Sequence, residues 1–228
     1  MTILLAVTGV APAVGVSTLT RSLREWLSAR GLSVDHLEQD EVYTRAELAP
    51  VARELAVRES VAIETLVQTI SDFVGAEGDD DSVILLDSLF PFVSALTEWG
   101  YGDYRISGFF DEIAERLSGV HVVVVYLDAD VDRALRNAEA REPEGWLDWY
   151  VDNLASTTPD ASSPLHAAAD RLERERELTL RLVAEHDWDL LAIPHTDELS
   201  ADEIFAATCR GLADALPDSP AHSTDSSD

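Results

Sequence analysis

The amino-acid sequence predicts an α/β fold, a three-layer α/β/α domain around a parallel sheet of about five strands. Three observations carry that expectation. Short runs rich in β-branched residues and leucine alternate with long stretches of helical periodicity, the rhythm of βαβ units. Most of the runs are apolar rather than alternating, as strands covered on both faces are. The chain has 228 residues, 46% of them hydrophobic and 26% charged, which suits one sizeable core with ordinary globular composition.

Taken in order, the first strand is Ile3–Thr8, followed by a glycine-bounded loop and a helix over Ser17–Ala29 that Gly31 ends by taking a left-handed turn. Ser33–Leu37 is the second strand. The stretch Ala46–Val74 reads as two helices divided near Pro50 or Glu59. Val83–Asp87 is the third strand, and the helical region after Pro91 runs to Leu117 with an interruption over the aromatic segment Gly100–Gly108. His121–Leu127 is the fourth strand. Helices over Asp130–Ala140, Trp146–Leu154 and Leu165–His186 precede a fifth strand at Leu190–Ile193, and Ala201–Leu212 closes the domain. Asp79–Asp81 and Thr157–Pro164 read as exposed loops. Pro217–Asp228, built from Ser, Asp and Pro without apolar periodicity, reads as a disordered acidic tail, so the domain is expected to occupy residues 1–216.

Charge narrows the function classes. Sixteen basic residues, all of them arginine, face 44 acidic ones for a net charge of −28. Nucleic acid and anionic membranes are bound through basic patches and counterion release, so neither is expected as a main partner. An anionic ligand has to be held locally, by clustered arginines, a helix N-terminus or a metal ion. The single Cys209 forms no intrachain disulfide and suits a reducing compartment. The N-terminus has no basic leader, and the longest apolar run, Val120–Leu127, is too short to span a bilayer; a cytoplasmic protein is expected.

The strongest local signal is the first strand running into Gly9-Val10-Ala11-Pro12-Ala13-Val14-Gly15-Val16-Ser17-Thr18 and then an amphipathic helix. Strand, glycine-bounded loop and helix N-terminus make an anion site, because unpaired amides and the positive helix end converge on a phosphate. Gly9 and Gly15 bound the loop, and Gly15 lets backbone approach an oxygen. Ser17 stands where a hydroxyl binds a magnesium ion bridging phosphates, and Thr18 adds a second hydroxyl or caps the helix. The third strand closes on Asp87, a carboxylate at a strand end where ligands of open parallel sheets lie, placed to hold the magnesium shell or to orient a nucleophile.

The arrangement resembles the phosphate loop of P-loop nucleoside and small-molecule kinases, the branch that includes chloramphenicol phosphotransferase. Two residues depart from that family's pattern. The glycines are separated by five residues instead of four, and Val16 replaces the lysine that reaches the β- and γ-phosphates. The resemblance extends over Met1–Leu212 and implies ATP or GTP with magnesium, a base among the acids after the second strand (Asp40 first, Glu41 second), and Asp87 at the metal. The segment of about 130–165 looks like the family's lid, which implies donor phosphates clamped by Arg133, Arg136 or Arg141. Arg136 is taken as catalytic, and with no lysine in the chain one of these three is expected to stand in for the missing cation. A small-molecule hydroxyl acceptor, nucleoside-like or a natural product, and a role in antibiotic biosynthesis or resistance follow from the resemblance.

The remaining signals are weaker. Trp99, Tyr101, Tyr104, Phe109 and Phe110 either line an acceptor pocket or fill the core, and Arg105 sits among them. Arg171, Arg174, Arg176 and Arg181, interleaved with Glu173, Glu175 and Glu177, read as a solvated helix face, with a phosphate role for Arg171 or Arg174 as the alternative. The six histidines lack metal-ligand spacing. The expected reaction is transfer of the γ-phosphoryl group of ATP to a hydroxyl. Its alternatives are a nucleotide-binding or sensing protein that has lost catalysis, and a non-kinase enzyme whose loop holds an anionic metabolite. Homodimerisation is left open.

Overall fold

The computed structural model describes residues 2–76, 82–87, 90–155 and 164–213. The expected loop at Asp79–Asp81, the expected loop at Thr157–Pro164 up to residue 163, and the expected tail lie outside them.

The elements alternate as the sequence predicts. Strands β1 (Ile3–Gly9), β2 (Ser33–Leu37), β3 (Ser82–Leu86), β4 (His121–Leu127) and β5 (Asp189–Ile193) form one parallel sheet in the order β2-β3-β1-β4-β5. Helices α1 (Val16–Ala29), α2 (Ala49–Arg58), α3 (Ile63–Ala76), α4 (Val93–Glu98), α5 (Asp103–Arg116), α6 (Val131–Glu139), α7 (Trp146–Ala155), α8 (Pro164–Glu185) and α9 (Ala201–Ala213) complete the described structure. No helix among the described residues is long and apolar enough to cross a membrane.

The unbroken apolar runs are explained by two cores, one on each face of the sheet. Leu4, Ala6, Ile84, Leu86, Val122 and Val124 face a layer made by α3, α5 and the second half of α8. Their neighbours Ile3, Leu5, Val7, Val83, Leu85, Val123 and Val125 face α1 and α9. Successive strand residues point to opposite faces, so burial on both sides keeps the middle of each central strand apolar, with polar residues only toward the ends.

Three local features refine the sequence reading. The division in the second helical region falls at Glu59, with φ +57°, and not at Pro50, which sits in the first turn of α2 where a missing amide costs nothing. Glu54 fixes the turn by accepting from the Ala62 amide at 2.7 Å and the Thr65 hydroxyl at 2.6 Å. The aromatic interruption shrinks to the residues around Gly100 and Gly102, because Gly108 lies inside α5 with Phe109 and Phe110 fully buried. The acidic segment after β2 is a 3-10 turn, Gln39–Tyr43. There Arg45 grips Asp35 at 2.8 and 2.9 Å, the His36 carbonyl at 2.7 Å and Glu41 at 3.2 Å, while Glu41 also accepts from the Glu38 amide.

The sheet order positions a site. β1 leads to α1 on one face, whereas its neighbour β3 leads to α5 on the other, so a crevice opens between their carboxyl ends.

Candidate functional site

The loop leaving β1 is open. Val10 donates to the Leu127 carbonyl at 3.0 Å, which ties the start of the loop to β4, and the first amide of α1 with a helical partner is that of Leu19, donating to Gly15 at 2.9 Å. The amides of Val16, Ser17 and Thr18 have no partner among the described residues, and no side chain caps the helix. Ala13 (φ +60°) and Gly15 (φ +106°) take left-handed conformations that turn the intervening amides toward one side. Gly9 lets the loop fold back: a Cβ there would strike the Val14 side chain and lie 3.2 Å from the Leu127 carbonyl.

Three contiguous cavities surround this loop. The central one, about 550 Å³, is lined by the backbone from Gly9 to Thr18, except Val14, together with Gln39, Asp87, Arg141 and Tyr150. A second, about 180 Å³, shares Thr8, Gly9, Gln39 and Asp87 with it and continues over Phe90, Phe92 and Tyr126. A third, about 300 Å³, lies on the far side of the loop between α1, α6 and the turn after β5, bounded by Thr18, Asn137, Arg141, Thr196 and Asp197.

Ser17 and Asp87 meet in the central cavity. Burial, and after it the charge of Glu38, pushes the Asp87 carboxyl up to about 6; the Ser17 hydroxyl and the Gln39 amide pull it the other way. Its Oδ1 is buried without a hydrogen-bond partner. Such an oxygen is an unusual cost for a fold to carry, and it is what a proton acceptor or a cation ligand requires.

The expected arginines separate. Arg141, just past the end of α6, reaches the loop, donates to the Ala13 carbonyl at 3.1 Å and borders both the central and the third cavity. Arg133 is held elsewhere, by Asp197 at 3.2 Å and by Glu198. Arg136 is exposed and lines none of the three cavities. Asp40 is exposed on its 3-10 turn, and the residue of that turn facing the cavities is Gln39. The Glu41–Arg45 contact above gives the expected second acid a structural partner. Val16 lines the central cavity and packs against the α1 core. The first part of the expected lid is fastened: Asp130 caps α6 by accepting from the Arg133 amide at 2.8 Å, and Asn137 donates to the Asp197 carbonyl at 3.3 Å.

Of the two alternatives for the aromatic segment, Phe109 and Phe110 take the core and Trp99 and Tyr101 pack against it, whereas Tyr104, 90% exposed, borders with Arg105 and Phe109 a cavity of about 240 Å³ that shares no lining residue with the three around the loop. The aromatic wall near the loop is Phe90 and Phe92 instead, which carried no signal beyond their place after the third strand. The charges of α8 are not a uniformly solvated face. Arg171 and Glu175 are buried and paired at 2.7 Å, and Arg176 joins Asp128 and Glu173, each at 3.0 Å. Because α8 packs against α4 and α7, one stripe of its charges turns inward and has to be neutralised there.

No family model and no curated protein matches the chain. Among solved structures it resembles the crystal structure of APE1195, with a TM-score of 0.50 and 17% sequence identity, over 94% of this chain and 96% of that one. That likeness extends over nearly the whole of both chains and is one of fold.

Proposed function

We propose that the protein is a phosphotransferase of the P-loop kinase type, moving the γ-phosphoryl group of ATP to a hydroxyl of a small molecule. The observation that carries the reading is the unpaired row of amides at the start of α1, opening on a cavity of about 550 Å³ into which Arg141 extends. In a chain of net charge −28, that cradle is one of few places suited to a polyphosphate. The third cavity, at the lower end of ligand-pocket volumes, accommodates the nucleoside end.

Magnesium fits the same corner. The Ser17 hydroxyl is the kind of hard donor it takes, which leaves Asp87 uncoordinated for the proton, and among the described residues no group of three His, Cys, Asp or Glu side chains could hold a metal alone, so the ion would arrive with the phosphates. Bound there, it supplies neutralisation of charge on the phosphate oxygens.

Asp87 is the carboxylate common to the central and second cavities, and it replaces Asp40 as the proposed proton acceptor. The acceptor hydroxyl gives its proton to Asp87 as its oxygen bonds to the γ-phosphorus. The bond to the bridging oxygen breaks, and ADP leaves with that electron pair. Arg141 takes the charge-stabilising role of the absent lysine.

Val16 favours a second reading, nucleotide binding without transfer. Single-turnover assay with γ-labelled ATP and a panel of alcohols decides between them. Transfer supports the kinase, tight ATP binding without transfer supports the second reading, and no nucleotide binding sinks both. Arg141→Ala should weaken ATP binding by about 10- to 100-fold, the worth of a charge-assisted phosphate contact, whereas Arg136→Ala should change it little. Val16→Lys should raise transfer strongly if the loop retains kinase geometry.

A further inference from the structure

The second cavity has a composition that its neighbours do not. Its lining joins apolar Phe90, Phe92 and Val93 to Asp87, Glu175 and Tyr126. Glu175 is only 5% exposed. Its Oε1 is engaged by Arg171 at 2.7 Å, but its Oε2 is buried with no partner. Arg176, which also lines the cavity, has its guanidinium committed to Asp128 and Glu173. Among the residues lining this space, the carboxylates of Asp87 and Glu175 therefore face a single guanidinium, that of Arg176, which Asp128 and Glu173 already engage. A buried carboxylate oxygen left without a donor is costly, and a ligand that brings a donor, above all a charged one, removes the cost.

Resting on the kinase reading for the role of Asp87, we propose that this cavity is the acceptor subsite and selects a small amino alcohol: the hydroxyl meets Asp87, the ammonium meets Glu175, and a short carbon chain lies on the phenylalanine wall. A cavity of about 180 Å³ corresponds to roughly six waters at about 30 Å³ each, so the acceptor portion it encloses is compact. Glu175 is a specificity-determining residue here. It holds a charge that is unchanged by the transfer and has no part in breaking or forming bonds.

The test uses the full chain and a ladder of ω-amino alcohols of two to five carbons beside the n-alkan-1-ols and terminal diols of matching length. Binding is read by ligand-observed NMR and, separately, transfer is read with labelled ATP. One amino alcohol of the ladder should bind at least about tenfold tighter than its matched alcohol. Glu175→Gln should reduce that preference to within about twofold. The double variant Arg171→Met with Glu175→Gln, which removes the charge of both members of the buried pair, should do the same and guards against a folding defect in the single variant. Equal binding of amines, alcohols and diols by the wild-type chain, or a preference retained in either folded variant, overturns the proposal. Amine preference in a chain that binds no ATP would leave this subsite standing and sink the kinase reading instead.

Discussion

Replacing Asp87 by Asn should stabilise the nucleotide-free protein at neutral pH, and the gain should disappear in acid. The carboxyl is raised from its ordinary 3.8 to about 6, chiefly by burial. The folded state therefore holds this proton more tightly than the unfolded state, and between about pH 4 and pH 6 folding takes up a proton. Stability contributed by this group is present at low pH and is lost as pH rises through the window; above it, both states are ionised and the full cost is felt. A shift of about two pH units corresponds to roughly 3 kcal/mol as an upper bound. Asp87 is only half-buried, so solvent screening brings the expected figure to about 1–1.5 kcal/mol. For a domain of this size that is roughly 2–6 °C in Tm. Thermal unfolding of both proteins with chelator present, at pH 4.5, 5.5 and 7.5, measures it. All other titrating groups are shared, so the difference between the two curves isolates Asp87. A variant less stable than wild type at pH 7.5, or a gain that persists undiminished at pH 4.5, would refute the reasoning.

Two further outcomes follow from the geometry. Arg171→Leu strands the buried Glu175 and should cost about 3–5 kcal/mol in urea unfolding, while Arg174→Ala on the exposed face of the same helix should stay within about 0.5 kcal/mol. Gly9→Ala and Gly15→Ala should both weaken ATP binding, for different reasons that unfolding separates. The first drives a methyl into Val14 and the Leu127 carbonyl and should cost about 1–3 kcal/mol, whereas the second meets nothing within 4 Å and should cost only the roughly 1–2 kcal/mol of a left-handed backbone, at φ +106°.

Most of the architecture was legible because burial on both faces makes the middle of a strand apolar. Ile3–Gly9 and His121–Leu127 announce themselves that way, and each stops where its carboxyl end meets polar residues. The weaker edge strand β5 was legible too, though Leu190 within it is exposed, because turn residues bracket a short apolar run. The loop after β1 and the acid after β3 were legible for the same reason: a glycine or an aspartate at a strand end has a local meaning.

What the sequence determined by itself was therefore local: the strands, the loop and its glycines, the absence of lysine, and an aspartate at the end of the third strand. What only the tertiary structure decided was which distant groups share a space. Arg133, Arg136 and Arg141 differ little as letters in a helical stretch, yet a hydrogen bond of 3.1 Å across 128 positions brings only the last to the loop, while Asp197 and Glu198 hold the first. Gln39 faces the cavities and Asp40 faces solvent because Arg45 fixes the 3-10 turn between them and β2. Glu175 looked like one charge among many on a solvated face until α4 and α7 packed over it. Side-chain direction follows from period and local hydrogen bonds, but burial and proximity are set by which elements pack together, and that is a property of the whole chain.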